Sequence, residues 1–122
     1  MNRKPRLILV SGPGASGKTF ISKHLARACS KAVYLDKDSL ASVFVEALLH
    51  LSGEPHDQRD SEVYFTKIRP LEYKALLSVA SDNLRLGSDV IADAPFIREV
   101  MDNDWMSQLP DVIGHPVNVW TL

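Results

Sequence analysis

Apolar residues fall along the chain in short continuous runs that alternate with longer helical patterns. Four runs, residues 6–10, 32–35, 89–92 and 117–122, are short and rich in branched side chains. Glycine, aspartate or proline stands beside each of them. These features are typical of strands buried on both faces of a parallel sheet.

The segments between these runs carry helical patterns. We expect helices over residues 18–29, 40–51 and 61–86, the last two ended by Gly53 and Gly87, and a short helix around 105–109. Pro70 should kink or break the third helix near Arg69. Two apolar stripes are predicted: Leu40, Val43, Phe44, Ala47, Leu48 and Leu51 on the second helix, and Tyr73, Leu76, Leu77, Ala80 and Leu84 on the third.

Strands that alternate with helices favour right-handed βαβ crossovers, hence an α/β fold with helices on both faces of a parallel sheet. The length of 122 residues fits one domain, residues 1–122. Polar motifs follow three of the predicted strands. In open parallel sheets ligands bind beyond the carboxyl ends of the strands, so residues 12–19, Asp36, Asp38 and Asp93 should converge at one edge.

Composition narrows the range of ligands. Fourteen basic and fifteen acidic residues leave a net charge of −1, which gives no overall field to attract nucleic acid or an anionic membrane. We therefore expect a small ligand. The single cysteine excludes an intramolecular disulfide, and no run approaches the roughly 18 apolar residues of a membrane span. A cytoplasmic protein is expected.

The sequence GPGASGKT between the first strand and the first helix fits the P-loop pattern G-x-x-x-x-G-K-[ST] in the context that pattern requires. Backbone N–H groups of such a loop wrap a phosphate, the lysine bridges the β- and γ-phosphates, and the hydroxyl ligates Mg²⁺. The alternative is a glycine-rich turn with an exposed lysine. The predicted nucleotide-binding residues are Gly12, Pro13, Gly14, Ala15, Ser16, Gly17, Lys18 and Thr19.

Asp93 follows the apolar run of the third strand and matches the carboxylate with which P-loop proteins hold Mg²⁺ through water. It could instead be an ordinary turn or capping aspartate before Pro95. The next residue is Ala94 and not the glutamate that orients water in many ATPases. An NTP hydrolase is therefore the weakest interpretation.

Asp36, Lys37 and Asp38 follow the second strand. Residues two apart in an extended segment point the same way, so both carboxylates would face the cleft. One of them could then accept a proton from an attacking hydroxyl. Alternatively, Asp38 or Ser39 only caps the next helix, and one aspartate can cap while the other acts.

Together these motifs resemble P-loop kinases of small hydroxyl compounds, such as shikimate kinase, gluconate kinase and chloramphenicol phosphotransferase. The stretches LDKDSL, IRPLEY and VIADAPFIRE more closely resemble the kinase-like AAA_33 family, which is related to zeta-toxin kinases. The resemblance runs from about residue 7 to 122. It implies a three-layer P-loop NTPase fold with strand order 2-3-1-4.

The resemblance also implies roles for single residues. Lys18 and the rest of the P-loop would bind ATP, while Thr19, Asp93 and Asp36 would lie at Mg²⁺. Asp38 would be the general base, with Lys18 assisting catalysis. Arg69 and Arg98 are weaker candidates for holding the acceptor or an anionic group on it; the alternative is that each is an ordinary solvated surface arginine.

The expected function is an ATP-dependent kinase that acts on the hydroxyl of a small molecule. Family members continue past the fourth strand into a lid helix and a fifth strand, so we expect this chain to be truncated before the lid. Because lid closure excludes water and supplies charge, an incomplete or non-catalytic ATP-binding module is the alternative. Trp120 on the last strand could leave an apolar edge that drives self-association.

Overall fold

The computed structural model describes residues 3–13, 17–29, 32–55 and 57–122. Its strands are β1 (Arg6–Val10), β2 (Ala32–Asp36), β3 (Asp89–Asp93) and β4 (Asn118–Thr121). Its α-helices are α1 (Lys18–Ala28), α2 (Lys37–Leu51), α3 (Arg69–Arg85), α4 (Ile97–Met101) and α5 (Asn103–Ile113). A π-helical turn, Tyr64–Ile68, precedes α3. Of these helices, α4 lies outside the segments for which the sequence predicted a helix.

The strands form one parallel sheet with the order β2-β3-β1-β4, so the predicted α/β fold and strand order are confirmed. The register aligns the carboxyl ends of β1, β2 and β3. Val10 of β1 and Asp36 of β2 both lie opposite Asp93 of β3. Whatever follows these strands is therefore gathered at one edge of the sheet.

Helices cover both faces of the sheet. On one face, Leu7 and Leu9 of β1 and Val90 of β3 pack against a buried core supplied by α3 and α5. On the other face, Ile8 of β1 packs with Val10 and Ile91 beneath α1. The predicted stripe of α3 is fully buried, as expected of a helix that covers a sheet.

The predicted stripe of α2 is wrong. Phe44 and Leu51 are 69% and 80% exposed, whereas the residues buried against the π-helical turn are Ala41, Val45 and Leu49. The reason is that α2 carries apolar residues on more than one face, so spacing alone does not select the buried one. The face built from smaller side chains lies against the neighbouring turn.

The break expected near Arg69 is confirmed and takes the form of the π-helical turn. The Arg69 N–H donates to the Tyr64 carbonyl five residues earlier. Pro70, which has no N–H to donate, follows directly after this turn, in the first turn of α3. The π-helical turn widens the helix without ending it, and Tyr64 and Ile68 of this turn pack against α2.

Candidate phosphoryl-transfer site

The P-loop connects β1 to α1 at the carboxyl edge of the sheet. Gly12 has φ 141° and Gly17 has φ 79°, both values that favour glycine. The Gly12 N–H donates to the Pro95 carbonyl at 3.0 Å, which ties the loop to the segment after β3. The predicted ligands Gly14, Ala15 and Ser16 lie outside the described residues.

Lys18 and Asp93 meet where α1 begins and β3 ends. Lys18 Nζ donates to Asp93 Oδ1 at 2.5 Å, and both side chains are buried. Lys18 begins α1 and Asp93 ends β3, so the parallel sheet brings together two residues 75 positions apart. A buried charge pair of this kind is strengthened by the low local dielectric.

Tyr34 of β2 supplies the second contact to this carboxylate. Its hydroxyl donates to Asp93 Oδ2 at 3.0 Å. Burial and then the hydrogen bond to Asp93 raise the pKa of Tyr34, while a hydrogen bond with Thr19 opposes this rise. The phenol is therefore a neutral donor at pH 7. Sequence reasoning missed Tyr34, because its partner Asp93 lies 59 positions later in the chain.

The oxygen atoms gathered here fit a magnesium ion. The Thr19 hydroxyl and the Asp93 carboxylate both lie beside Tyr34, and hard oxygen donors are the ligands that Mg²⁺ prefers. Within the described ranges, no group of three or more His, Cys, Asp or Glu side chains is placed to hold a metal. Mg²⁺ in nucleotide sites takes its other ligands from phosphates and water, so two protein oxygens suffice.

Asp36 and Asp38 have separate environments. Asp36 caps α2: it accepts from the Asp38 N–H at 3.1 Å and from the Ser39 hydroxyl at 3.1 Å. Asp38 lies in the first turn of α2 with its side chain 68% exposed. The expectation that both lie in one extended segment is wrong, because α2 already begins at Lys37.

A cleft of about 580 Å³ opens beside Asp38, between α2, the π-helical turn and α4. We call it the acceptor cleft, after the role expected from the sequence for two of its arginines. Its walls include Arg69 and Arg98, the two arginines singled out from the sequence. It also contains residues that sequence reasoning did not select. The complete lining is Lys37, Asp38, Ser42, Arg59, Tyr64, Phe65, Arg69, Pro95, Ile97 and Arg98.

A buried polar network underlies the acceptor cleft. Lys37 Nζ donates to Glu72 Oε2 at 2.8 Å and to Asp38 Oδ1 at 3.2 Å. The Tyr64 hydroxyl donates to Glu72 Oε1, and Arg59 reaches the other oxygen at 3.4 Å. Burial and then the bond to Glu72 raise the pKa of Tyr64 to about 12, so its proton stays in place at neutral pH.

A second network fixes the segment after β3. Arg69 makes two hydrogen bonds to Glu99, at 2.6 and 2.9 Å, and these raise the pKa of Arg69. Arg69 also reaches the Tyr73 hydroxyl at 3.3 Å, and that hydroxyl accepts from the Phe96 N–H at 3.2 Å. Phe96 has φ 48°, an uncommon value for a bulky residue, and these contacts hold it there.

A family model described as an AAA domain, AAA_33, matches residues 7–120 of this chain. The chain belongs to the AAA_33 family. Its P-loop, its β3 carboxylate and its acceptor cleft all lie within the matched AAA_33 segment.

Solved structures share the fold of this chain. A candidate kinase from Chloroflexus aurantiacus J-10-fl is 23% identical, with a TM-score of 0.60 over 99% of this chain. A chain of the Pnkp1/Rnl/Hen1 RNA repair complex is 15% identical, with a TM-score of 0.57 over 99% of this chain. At these identities the likeness establishes the fold. This chain spans 60% of the first structure and 34% of the second.

No protein in a curated set matches this chain. Across the part of the chain that the structure describes, no helix combines the length and apolar character needed to cross a membrane.

Proposed function

We propose that this chain binds ATP with Mg²⁺ and transfers the γ-phosphate to the hydroxyl of a small molecule in the cytoplasm. The observation that carries the proposal is the buried Lys18–Asp93 pair beneath the P-loop. The acceptor cleft begins just beyond the same strand ends, with Lys37 and Asp38 after β2 and Pro95 after β3. A phosphate site and an acceptor site side by side are what group transfer requires.

Each residue has a role in this proposal. The P-loop N–H groups and the N-terminus of α1 hold phosphate oxygens, and Lys18 exchanges its contact with Asp93 for the β- and γ-phosphates. Thr19 and Asp93 would hold Mg²⁺, which would neutralise charge on the transferred group. Asp36 is a weaker candidate for the metal, since both of its oxygens already accept bonds from α2.

Asp38 is the proposed general base. The acceptor oxygen forms a bond to the γ-phosphorus as the bond from that phosphorus to the bridging oxygen breaks, and ADP leaves. The acceptor proton passes to Asp38. Its exposure at the mouth of the cleft supports this role, because a base must reach the substrate hydroxyl. Ala94 after Asp93 supports transfer over hydrolysis.

Two variants test nucleotide binding and transfer separately. Lys18→Met should weaken Mg·ATP binding measured by titration calorimetry, with a melting curve to confirm that it folds. Asp38→Asn should bind normally but lower transfer by about 10²- to 10⁴-fold on any active member of a hydroxyl-compound panel. Asp111→Asn is the matched control, because Asp111 is an exposed carboxylate on α5 outside the acceptor cleft.

Unchanged transfer by Asp38→Asn would reject the base assignment. Tight Mg·ATP binding without transfer to any compound would favour the alternative, a nucleotide-binding module. Release of phosphate to water at the rate of transfer would favour a hydrolase.

A further inference from the structure

We propose that the acceptor cleft recognises an anionic group, a phosphate or a carboxylate, on the hydroxyl compound, through Arg98 and Arg59. This inference rests on the proposed function, since it names the class of acceptor. The cleft volume of about 580 Å³ suits a small organic molecule. Its walls carry four cationic side chains in a chain whose net charge is −1.

The charges of the cleft do not cancel. Four cations line it, and they face three carboxylates: Asp38 on its wall, and Glu72 and Glu99 behind it. Lys37 is committed to Glu72 at 2.8 Å. Asp38 is reserved for the acceptor hydroxyl in the proposed reaction. The positive charge that no carboxylate matches therefore lies on the arginines, Arg59, Arg69 and Arg98.

The three arginines differ in how far they are engaged. Arg69 is committed by its two short bonds to Glu99, so it positions α4 and has little capacity left for a ligand. Arg59 is held less tightly: its polar contacts are 3.4 Å to Glu72 and 3.3 Å to Ser42, and its guanidinium carbon lies 5.8 Å from the centre of the Tyr64 ring. The guanidinium group has five N–H donors, so Arg59 can still donate hydrogen bonds to an oxyanion.

Arg98 is the freest cation on the cleft wall. Among the described residues it forms no ion pair; its guanidinium carbon lies 4.6 Å from the centre of the Phe65 ring. Stacking on an aromatic face holds the guanidinium plane while leaving its N–H edge open. A planar donor edge of this kind binds a phosphate or carboxylate in bidentate fashion.

A matched set of three-carbon probes tests the proposal without requiring phosphoryl transfer. Glycerol 3-phosphate, glycerate and neutral glycerol are each titrated into ¹⁵N-labelled protein, and the amide signals of Phe65 and Arg98 are followed by NMR. We expect saturable shifts with at least one anion and none with glycerol. Arg98→Gln should weaken that binding about 10- to 100-fold, and Arg59→Gln by less.

Two further variants locate the anion. Arg27→Gln removes an exposed arginine of α1 and should leave binding unchanged. Lys18→Met, in protein whose melting curve shows that it is folded, should also retain anion binding, because the P-loop is a separate phosphate site. Comparison of the two anions decides between phosphate and carboxylate recognition.

Three results would overturn the inference: glycerol binding as well as the anions, no binding of either anion, or binding abolished by Lys18→Met but unaffected by Arg98→Gln. None of these depends on Asp38 or on ATP turnover. A failed kinase assay with intact Arg98-dependent anion binding would reject the proposed function alone.

Discussion

The buried pair of Lys37 and Glu72 beneath the acceptor cleft makes a quantitative prediction about stability. Lys37→Met removes a buried ammonium and leaves the Glu72 carboxylate buried. The remaining partners of Glu72 are the Tyr64 hydroxyl and the more distant Arg59. An uncompensated buried charge is costly, because its lost hydration is not replaced.

The expected magnitude follows from these contacts. Breaking a buried ion pair by removing one partner typically costs about 3–5 kcal/mol. Arg59 still reaches Glu72 at 3.4 Å, which places Lys37→Met near the lower end, about 3 kcal/mol. The contact of Lys37 with the exposed Asp38 adds less than about 1 kcal/mol.

The double variant Lys37→Met/Glu72→Met should cost clearly less than the sum of the two single variants. It removes both charges together, so neither is left alone in the interior. The Tyr64 hydroxyl loses its acceptor in Glu72→Met and in the double variant alike, so this cost cancels in the cycle. We expect a coupling free energy of at least about 1 kcal/mol.

Urea unfolding followed by circular dichroism measures these changes. With a slope of about 1.5 kcal/mol/M, a loss of about 3 kcal/mol lowers the midpoint by about 2 M. Glu46→Gln, an exposed carboxylate on the same helix, should stay within about 0.5 kcal/mol. The reasoning is refuted if Lys37→Met costs less than about 1 kcal/mol, or if the two single effects simply add.

Three further predictions concern other parts of the fold. Burial raises the pKa of Asp89, but hydrogen bonds from Arg3 and Arg6 outweigh burial and leave that pKa well below its usual range. Asp89→Asn should therefore lower the free energy of unfolding by about 2 kcal/mol at pH 7. In urea unfolding this loss should shrink progressively as the pH falls below about 4, where Asp89 becomes protonated in the unfolded chain. Gly17→Ala should cost about 1 kcal/mol in thermal unfolding from its positive φ alone, since a Cβ there meets nothing within 4 Å; a much larger loss would contradict this. Trp120 is 48% exposed on the edge strand β4, so any concentration-dependent dimer seen by sedimentation should weaken in Trp120→Lys, and an unchanged dimer would exclude this edge.

Much of the fold could be predicted because its signals are local. Short apolar runs ended by glycine or aspartate gave the strands, and Pro70 gave the break before α3. The face of α2 could not be predicted this way. Its apolar residues surround the helix, and the packing of the π-helical turn and α3 against it decides that Val45 is buried while Phe44 is exposed.

Some residues of the candidate site could be predicted from the sequence and others could not. The P-loop and Asp93 are visible in the sequence because a fixed spacing or a strand end marks them. Tyr34, Arg59 and Glu72 carry no such mark: they join the site through contacts between distant segments, such as the one from Lys37 to a residue 35 positions later. Spacing along the chain holds no information about those partners.

The triplet Asp36-Lys37-Asp38 shows how one local event assigns three roles. Because the strand ends at Asp36 and the helix begins at Lys37, the backbone turns between the two carboxylates. Asp36 is left at the capping position, Lys37 is directed into the interior against Glu72, and Asp38 is left exposed beside the cleft. Lys37 therefore links the proposed base, Asp38, to the buried Glu72. Its removal should loosen Asp38 as well as destabilise the fold, so a transfer assay on Lys37→Met must be read against the stability measured for the same variant.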